Sequence, residues 1–315
     1  MRVALWSEHR YPAYAEHGCG RKTSSAPSGA PSLVHDLLAR GLAELGHQVY
    51  YLLERGTSTP LPGGVTWTDR PPDDADIFHN FPRGDRPWVR TIHRALDPGA
   101  AVPPNAIYVS QTLARTHGSE RFVHNGVDPA DYQFSERKGD YMLFLSALQG
   151  PRLRRQYLDK GLDIALEVCA AAGVELVVAG TAIDEECLAT VEALCAAHGA
   201  PFLGDVRGVE KAELLAGARA LIFPTRLVEG FGVVMVESLM SGTPVICSAN
   251  GACPEIVSPD TGFTCRDFDE FLRAIERAGE IDPHACRARA MNLFHYRVMA
   301  ESYVREYERE LRACA

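Results

Sequence analysis

The sequence predicts an α/β chain of two doubly wound domains, on three observations. Short apolar runs at 2–6, 48–53, 141–145 and 220–223 alternate with segments whose apolar residues recur every 3.6 positions. The 315 residues suit two domains with separate cores. The alternation halts in the polar stretch 129–140, which reads as a linker, and then restarts.

Taken in order, residues 2–6 read as a buried strand, followed by a Gly-, Pro-, Ser- and His-rich stretch to Pro31 with no apolar period. Leu33, Val34, Leu37, Leu38, Leu42 and Leu45 then form a helical stripe, with Ser32 as expected N-cap and Gly46 just past the end. The strand at 48–53 completes a βαβ opening. Further strands are expected at 64–67, 75–79, 88–92, 106–109 and 121–124. The second series runs strand 141–145, helix 161–172, strand 174–179, helix 184–198, short strand 202–203, helix 209–217, strand 220–223, helix 232–241 and strand 244–247, with helices from about 267. Open α/β sheets bind ligands beyond the carboxyl ends of their strands, and two such domains face to face make one cleft.

Composition narrows the class. The 32 Lys+Arg against 41 Asp+Glu leave a net charge of −9, with 46% apolar and 23% charged residues. Disorder, collagen and small disulfide scaffolds are excluded. The acidic balance argues against a nucleic-acid or anionic-membrane partner held by bulk charge. No run reaches the roughly 18 apolar residues of a membrane-spanning helix, and Glu8 interrupts the N-terminus before a signal-peptide core. A cytoplasmic protein is expected. The nine cysteines are odd in number, lack any C-x-x-C and lie partly in apolar runs, so they read as buried free thiols. Neither His17-Gly18-Cys19 nor His284-Ala285-Cys286 has partners at zinc-site spacing.

The most informative stretch is 223–257, FPTRLVEGFGVVMVESLMSGTPVICSANGACPEIV. Here Gly230-Phe231-Gly232 opens a helix after a strand, so unpaired N–H groups at the positive end of the helix dipole face a place where small residues admit a phosphate. The string resembles the glycosyltransferase family 4 signature: two glutamates, Glu229 and Glu237, within EGFGxxxxEAMxxGxPVI, followed by a GGxxEIV element in which Ala252 takes the usual second-glycine place. Other pieces resemble the family in order: Gly46-His47-Gln48-Val49, Asn125-Gly126-Val127-Asp128 with Phe134, Lys160-Gly161, and Gly204-Asp205-Val206.

That resemblance implies a GT-B fold, two Rossmann-like domains facing across a cleft that holds a nucleotide-sugar. The expected domains are 1–134, with a C-terminal helix 297–315 packed back on it, and 140–296. It further implies that Lys160 places a charge on the diphosphate, Glu237 holds the ribose hydroxyls and Glu229 the donor sugar hydroxyls. Gly29, Val206, Gly230, Phe231, Gly232 and Val233 would complete donor binding. The catalytic set is then His93, Glu229 and Lys160. His93 and His79 each end a strand where the family carries a histidine; His93 is taken as the catalytic one, and His79 is placed with His9, Tyr11 and His17 on the acceptor side.

One departure stands out. Where the family has Gly-Arg-apolar after the first strand of the second domain, this chain has Ser146-Ala147-Leu148, followed by an unusually long basic loop. Arg152, Arg154 or Arg155 is expected to reach back as the missing guanidinium. The long loop 8–30, with His9, Tyr11, Tyr14, His17, Arg21 and Lys22, reads as acceptor-shaping. Asp74-Ala75-Asp76 precedes a strand rather than ending one and reads as a polar strand start. No metal is expected. The reading is a retaining transferase moving a sugar from a nucleoside diphosphate-sugar, UDP by default, to a hydroxyl of a small soluble or natural-product acceptor. The alternatives are a lipid-linked acceptor and a non-catalytic nucleotide-sugar-binding protein. A dinucleotide oxidoreductase is disfavoured because no G-x-G-x-x-G follows the first strand.

Overall fold

The computed structural model describes residues 1–13, 30–97, 99–148, 156–182 and 184–314. Its contacts divide the chain after Asp128 and again before Leu293, where the C-terminal segment returns to the first unit.

The first unit carries β1 (Arg2–Ser7), α1 (Ala30–Glu44), β2 (Gln48–Leu53), β3 (Val65–Thr68), β4 (Ile77–His79), β5 (Trp88–Ile92), β6 (Ala106–Tyr108) and α2 (Gln111–Thr116). Its six strands are parallel in the order β3-β2-β1-β4-β5-β6, the doubly wound dinucleotide-fold arrangement. The second unit carries β7 (Met142–Leu145), α3 (Gln156–Asp159), α4 (Leu162–Ala172), β8 (Leu176–Ala179), α5 (Glu185–Ala197), α6 (Gly208–Gly217), β9 (Ala220–Phe223), α7 (Val233–Met240), β10 (Val245–Ser248), α8 (Cys253–Ile256), β11 (Gly262–Cys265) and α9 (Phe268–Arg277). Its sheet runs β11-β10-β9-β7-β8, also parallel. Strands β7 to β10 are buried at every position, because helices cover both faces of a parallel sheet. Phe144, Leu166, Ile222 and Phe271 lie in its core. Helix α10 (Pro283–Phe294) leads into the long α11 (Tyr296–Cys314).

Helix α11 lies along α1. Gly41 is the close-approach point, since a Cβ there would come within 2.7 Å of Ala300 Cβ. Tyr296 OH donates to Glu44 at 2.9 Å, and Arg121 binds both Glu306 and Glu310. The α1 stripe ends as its sequence suggests: Gly46 turns at φ 83°, and the Gly46 and His47 amides satisfy Ala43 and Leu42 carbonyls.

Several local expectations change. Helix α1 starts at Ala30, so Ser32 is a buried first-turn residue rather than a cap. Pro31 is tolerated there because first-turn amides have no intrahelical acceptor. The expected strands at 121–124 and 202–203 are single bridges, Phe122 to Tyr108 and Phe202 to Val178. The stretch 129–140 is packed rather than loose. Lys138 Nζ donates to Ala216 O, Ser241 O and Thr243 Oγ1, at the negative ends of α6 and α7. Eight cysteines are free thiols, seven of them buried; Cys19 lies outside the described residues. No helix among the described residues is long and apolar enough to cross a membrane.

Candidate active site

In the second unit the strand order reverses between β7 and β9, so the loops leaving their carboxyl ends flank a ligand position. Lys160 sits at the turn between α3 and α4. Gly161, φ 80°, would drive a Cβ to 2.0 Å from Pro224 O, so only glycine lets that turn seat on the loop leaving β9. Arg226 fastens it further: its amide donates to Asp159 O, its Nη1 to Leu158 O, and its guanidinium forks onto both Asp163 oxygens at 2.7 and 2.8 Å. The result is an ion pair, Lys160 Nζ to Glu229 Oε2 at 2.5 Å, with both side chains about seven-eighths buried, at 13% and 14% exposure. The ammonium also lies 5.3 Å from the Phe223 ring centre.

Glu229 is held from behind. Its carbonyl accepts from the Ala252 amide at 2.9 Å, and Asn250 Nδ2 donates to Thr225 O. Gly230 and Phe231 are buried, and Gly232, φ 81°, caps α7 ahead of Val233. One turn into that helix, Glu237 is 4% exposed. It accepts from Tyr132 OH at 2.9 Å and pairs with Lys211 at 2.7 Å. Val206 is buried beside Asp205, which takes Arg207 Nε at 2.6 Å. Ser146 packs against Gly180, whose Cβ would meet Ser146 O at 2.0 Å. Arg152, Arg154, Arg155 and Gly29 lie outside the described residues, as do His17, Tyr14, Arg21 and Lys22.

The first unit has its own reversal, between β1 and β4, and histidines collect there. His9 and His79 are not available to an acceptor as expected. His9 is 5% exposed, with Nδ1 on Ser7 Oγ and Nε2 on Asp36 Oδ1, both at 2.8 Å. His79 is fully buried, bonded to Tyr307 OH at 2.6 Å and Thr91 Oγ1 at 2.7 Å. Tyr11 is pinned through its backbone to Gly56 and Ser58. His93 is half-buried, with Nε2 3.4 Å from Nε2 of His35, a residue of α1. Burial pulls the His93 pKa down to about 4. Burial, with His93 nearby, takes His79 to about 3. Burial and then the three neighbouring rings hold His35 well below the ordinary range. Asp74 and Asp76 are engaged by Arg2, Asp76 through both the Arg2 amide and guanidinium. Among the described residues no group of three or more His, Cys, Asp or Glu side chains is arranged to hold a metal ion.

Comparison with known proteins places this architecture. The family described as "Glycosyl transferases group 1" matches residues 141–280. The chain is 25% identical to AviGT4, a glycosyltransferase involved in avilamycin A biosynthesis, with a TM-score of 0.77 over 99% of this chain and 98% of that one. The chain has the GT-B fold, and its residues 141–280 fall in the group 1 glycosyltransferase family.

Among curated relatives, the chain is 34% identical over 116 residues to the MMP alpha-(1->4)-mannosyltransferase of Mycolicibacterium hassiacum, covering 32% of this chain and 27% of the relative. It is 27% identical over 177 residues to the D-rhamnosyltransferase WbpZ of Pseudomonas aeruginosa, covering 53% and 44%. The matched stretches thus take in less than half of either relative. Anabaena HepE, solved with UDP and glucose, shares the fold at 15% identity and TM-score 0.67, over 98% of this chain and 100% of that one. The residues of the candidate site that the sequence did not single out are Tyr132, Lys211, Arg226 and His35. Each acts through a partner 26 to 105 positions away, or in the case of Arg226 63 positions, so no local spacing announces it.

Proposed function

We propose that this chain is a retaining glycosyltransferase that moves a sugar from a nucleoside diphosphate-sugar to a hydroxyl acceptor. The observation that carries the reading is the Lys160–Glu229 pair beside the N-terminus of α7, at the strand-order reversal of the second unit. Lys160 has two ammonium protons beyond the one that meets Glu229, and these suit the phosphate oxygens on which charge grows as the nucleoside diphosphate departs. Glu229 has acceptor capacity left for donor sugar hydroxyls. Amides at Gly232 and Val233 add the positive end of a helix dipole. Glu237, oriented by Tyr132 and Lys211, suits the ribose hydroxyls. Val206 and its neighbours suit the base. His93 would meet a substrate hydroxyl. The protein's contribution is positioning and charge stabilisation, without a dedicated proton-abstracting base.

UDP is the preferred leaving group and a small soluble or natural-product acceptor the preferred substrate. The similarity to AviGT4, a glycosyltransferase involved in avilamycin A biosynthesis, supports the second choice. A thermal-shift panel of UDP, GDP, ADP, dTDP and NAD on the wild type and Lys160→Ala tests the donor site. A ligand at about 100 times its Kd stabilises by about 2.7 kcal/mol, so one diphosphate is expected to shift the wild type by several degrees and the variant far less. Release of nucleoside diphosphate from the matching nucleotide-sugar, and an α-configured product from an α-configured donor, complete the test. Binding without turnover or donor hydrolysis would instead describe a nucleotide-sugar-binding protein, the reading favoured by Ser146-Ala147 in place of Gly-Arg.

A further inference from the structure

We propose that His35 is the positioning residue for His93. It holds that ring as the Nε2–H tautomer, so that Nδ1 is offered to a substrate hydroxyl as a hydrogen-bond acceptor. The proposal rests on the reading of His93 as a substrate-facing residue, and its test separates the two.

The polarity of the network starts at a group that cannot be reversed. The Thr91 backbone amide donates to Asn80 Oδ1 at 3.0 Å, so the Asn80 amide nitrogen is the atom that faces His35 Nε2 at 3.1 Å. That nitrogen only donates, and Trp6 O at 3.4 Å accepts from it as well. His35 Nε2 therefore carries a lone pair. Its proton sits on Nδ1, toward Ser7 Oγ at 3.0 Å. Ser7 keeps its own hydrogen for His9 Nδ1, and His9 Nε2–H reaches Asp36 Oδ1. Tyr51 OH and the Ala13 amide also donate to Asp36, so the carboxylate accepts throughout. Every link runs one way, from the Thr91 amide to Asp36.

His93 is the branch point. Its Nε2 lies 3.4 Å from the His35 lone pair, the rings meeting edge to face at 5.3 Å. Two facing lone pairs repel, and a proton on His93 Nε2 removes the conflict and leaves Nδ1 bare. Among the described residues no hydrogen bond engages that Nδ1. The titratable groups facing His35 are His93, His79 and His9, with Asp36 reached through His9. Surrounded by rings rather than carboxylates, His35 does not escape the constraint by taking a second proton. A bare, uncharged nitrogen accepts from a hydroxyl and has nothing to give a phosphate, which matches a sugar or alcohol group.

Asn80→Asp reverses the polarity with the shape kept. Asn80 stands at φ 71°, a conformation that Asn and Asp both tolerate, and the Thr91 amide still finds an oxygen. The other carboxylate oxygen would draw the His35 proton to Nε2 and push the His93 proton to Nδ1. Histidine 15N NMR of the wild type is expected to show His35 as Nδ1–H and His93 as Nε2–H from about pH 8 to about pH 6. In N80D both tautomers should exchange, kcat should fall by about tenfold or more, and donor KM should stay within about twofold, with the acid limb of the kcat profile moved to higher pH. Turnover is read as nucleoside diphosphate release from the donor that the panel identifies. The opposite tautomer at either ring in the wild type overturns the proposal, with no variant needed. So does an N80D enzyme that keeps its tautomers and rate beside a His93→Ala enzyme that loses turnover. Wild-type turnover in His93→Ala overturns the underlying reading and the proposal with it.

Discussion

At Gly251 the backbone turns at φ 56°, and a Cβ there would stand 2.3 Å from the Glu229 amide nitrogen. This is the physical content of the GGxxEIV element: it is a backbone rest for the glutamate that precedes the helix. Gly251→Ala is expected to cost at least about 1–2 kcal/mol from the left-handed conformation alone, and to displace Glu229. Calorimetry and donor titration should therefore move together. The neighbouring position works the other way, because Ala252 is buried and already carries the Cβ that the family usually lacks there. For Glu237 the decisive partner is Tyr132. Tyr132→Phe leaves the aromatic packing and removes one hydrogen bond to a carboxylate, an expected loss of about 1.5–3 kcal/mol. Donor KM should rise, with kcat less affected, if Glu237 grips the ribose.

At the scale of elements, two junctions carry the molecule. The turn between α3 and α4 is stapled to the loop leaving β9 by Arg226, whose side chain is 46% exposed. An exposed pair is worth about 0–1 kcal/mol, so Arg226→Ala should barely change the melting temperature. The same variant should raise donor KM several-fold, because it frees the turn that aims Lys160; Arg226→Lys, which cannot fork onto Asp163, should not restore it. The α1–α11 junction is the reverse case, a packing contact with no chemistry. Gly41→Val forces a side chain into the 2.7 Å approach to Ala300 and should cost about 1–3 kcal/mol, read by denaturant midpoint. The elements themselves were legible where the apolar period was long, as in α1, and were overread where a short apolar run lacked a full partner strand. Residues 121–124 are such a run: β6 spans Ala106–Tyr108, and one bridge at Tyr108 is what pairs with it.

For the whole molecule, the buried histidines set the acid response. In the folded first unit His93 titrates near 4 and His79 near 3, against about 6.5 in an unfolded chain. Between those values the unfolded chain binds protons that the folded one refuses, so stability rises with pH there. It should be fully present above about pH 6.5 and decline as pH falls toward 4, by an amount on the order of a few kcal/mol. Chemical denaturation at pH 7.5, 6 and 5 measures this, and Asn80→Asp should shallow the slope by giving His35 a carboxylate neighbour.

By itself the sequence determined the two parallel α/β layers and carried the family resemblance of the second unit, because both are written in local terms: a 3.6-residue period broken by short buried runs, and a string of spaced glutamates and glycines around one helix N-terminus. It also singled out Lys160, Glu229 and Glu237 as expected donor-site residues. What it could not contain is which polar groups meet at a distance. Tertiary structure decided that Lys160 pairs with Glu229, that Tyr132 and Lys211 share Glu237, and that His9 and His79 are occupied by Asp36, Ser7, Tyr307 and Thr91 rather than open to an acceptor. A strand-end histidine looks the same in sequence whether its nitrogens are satisfied or bare. The difference lies in α1 and α11, which arrive 28 and 228 residues away to bring His35 to Ser7 and Tyr307 to His79.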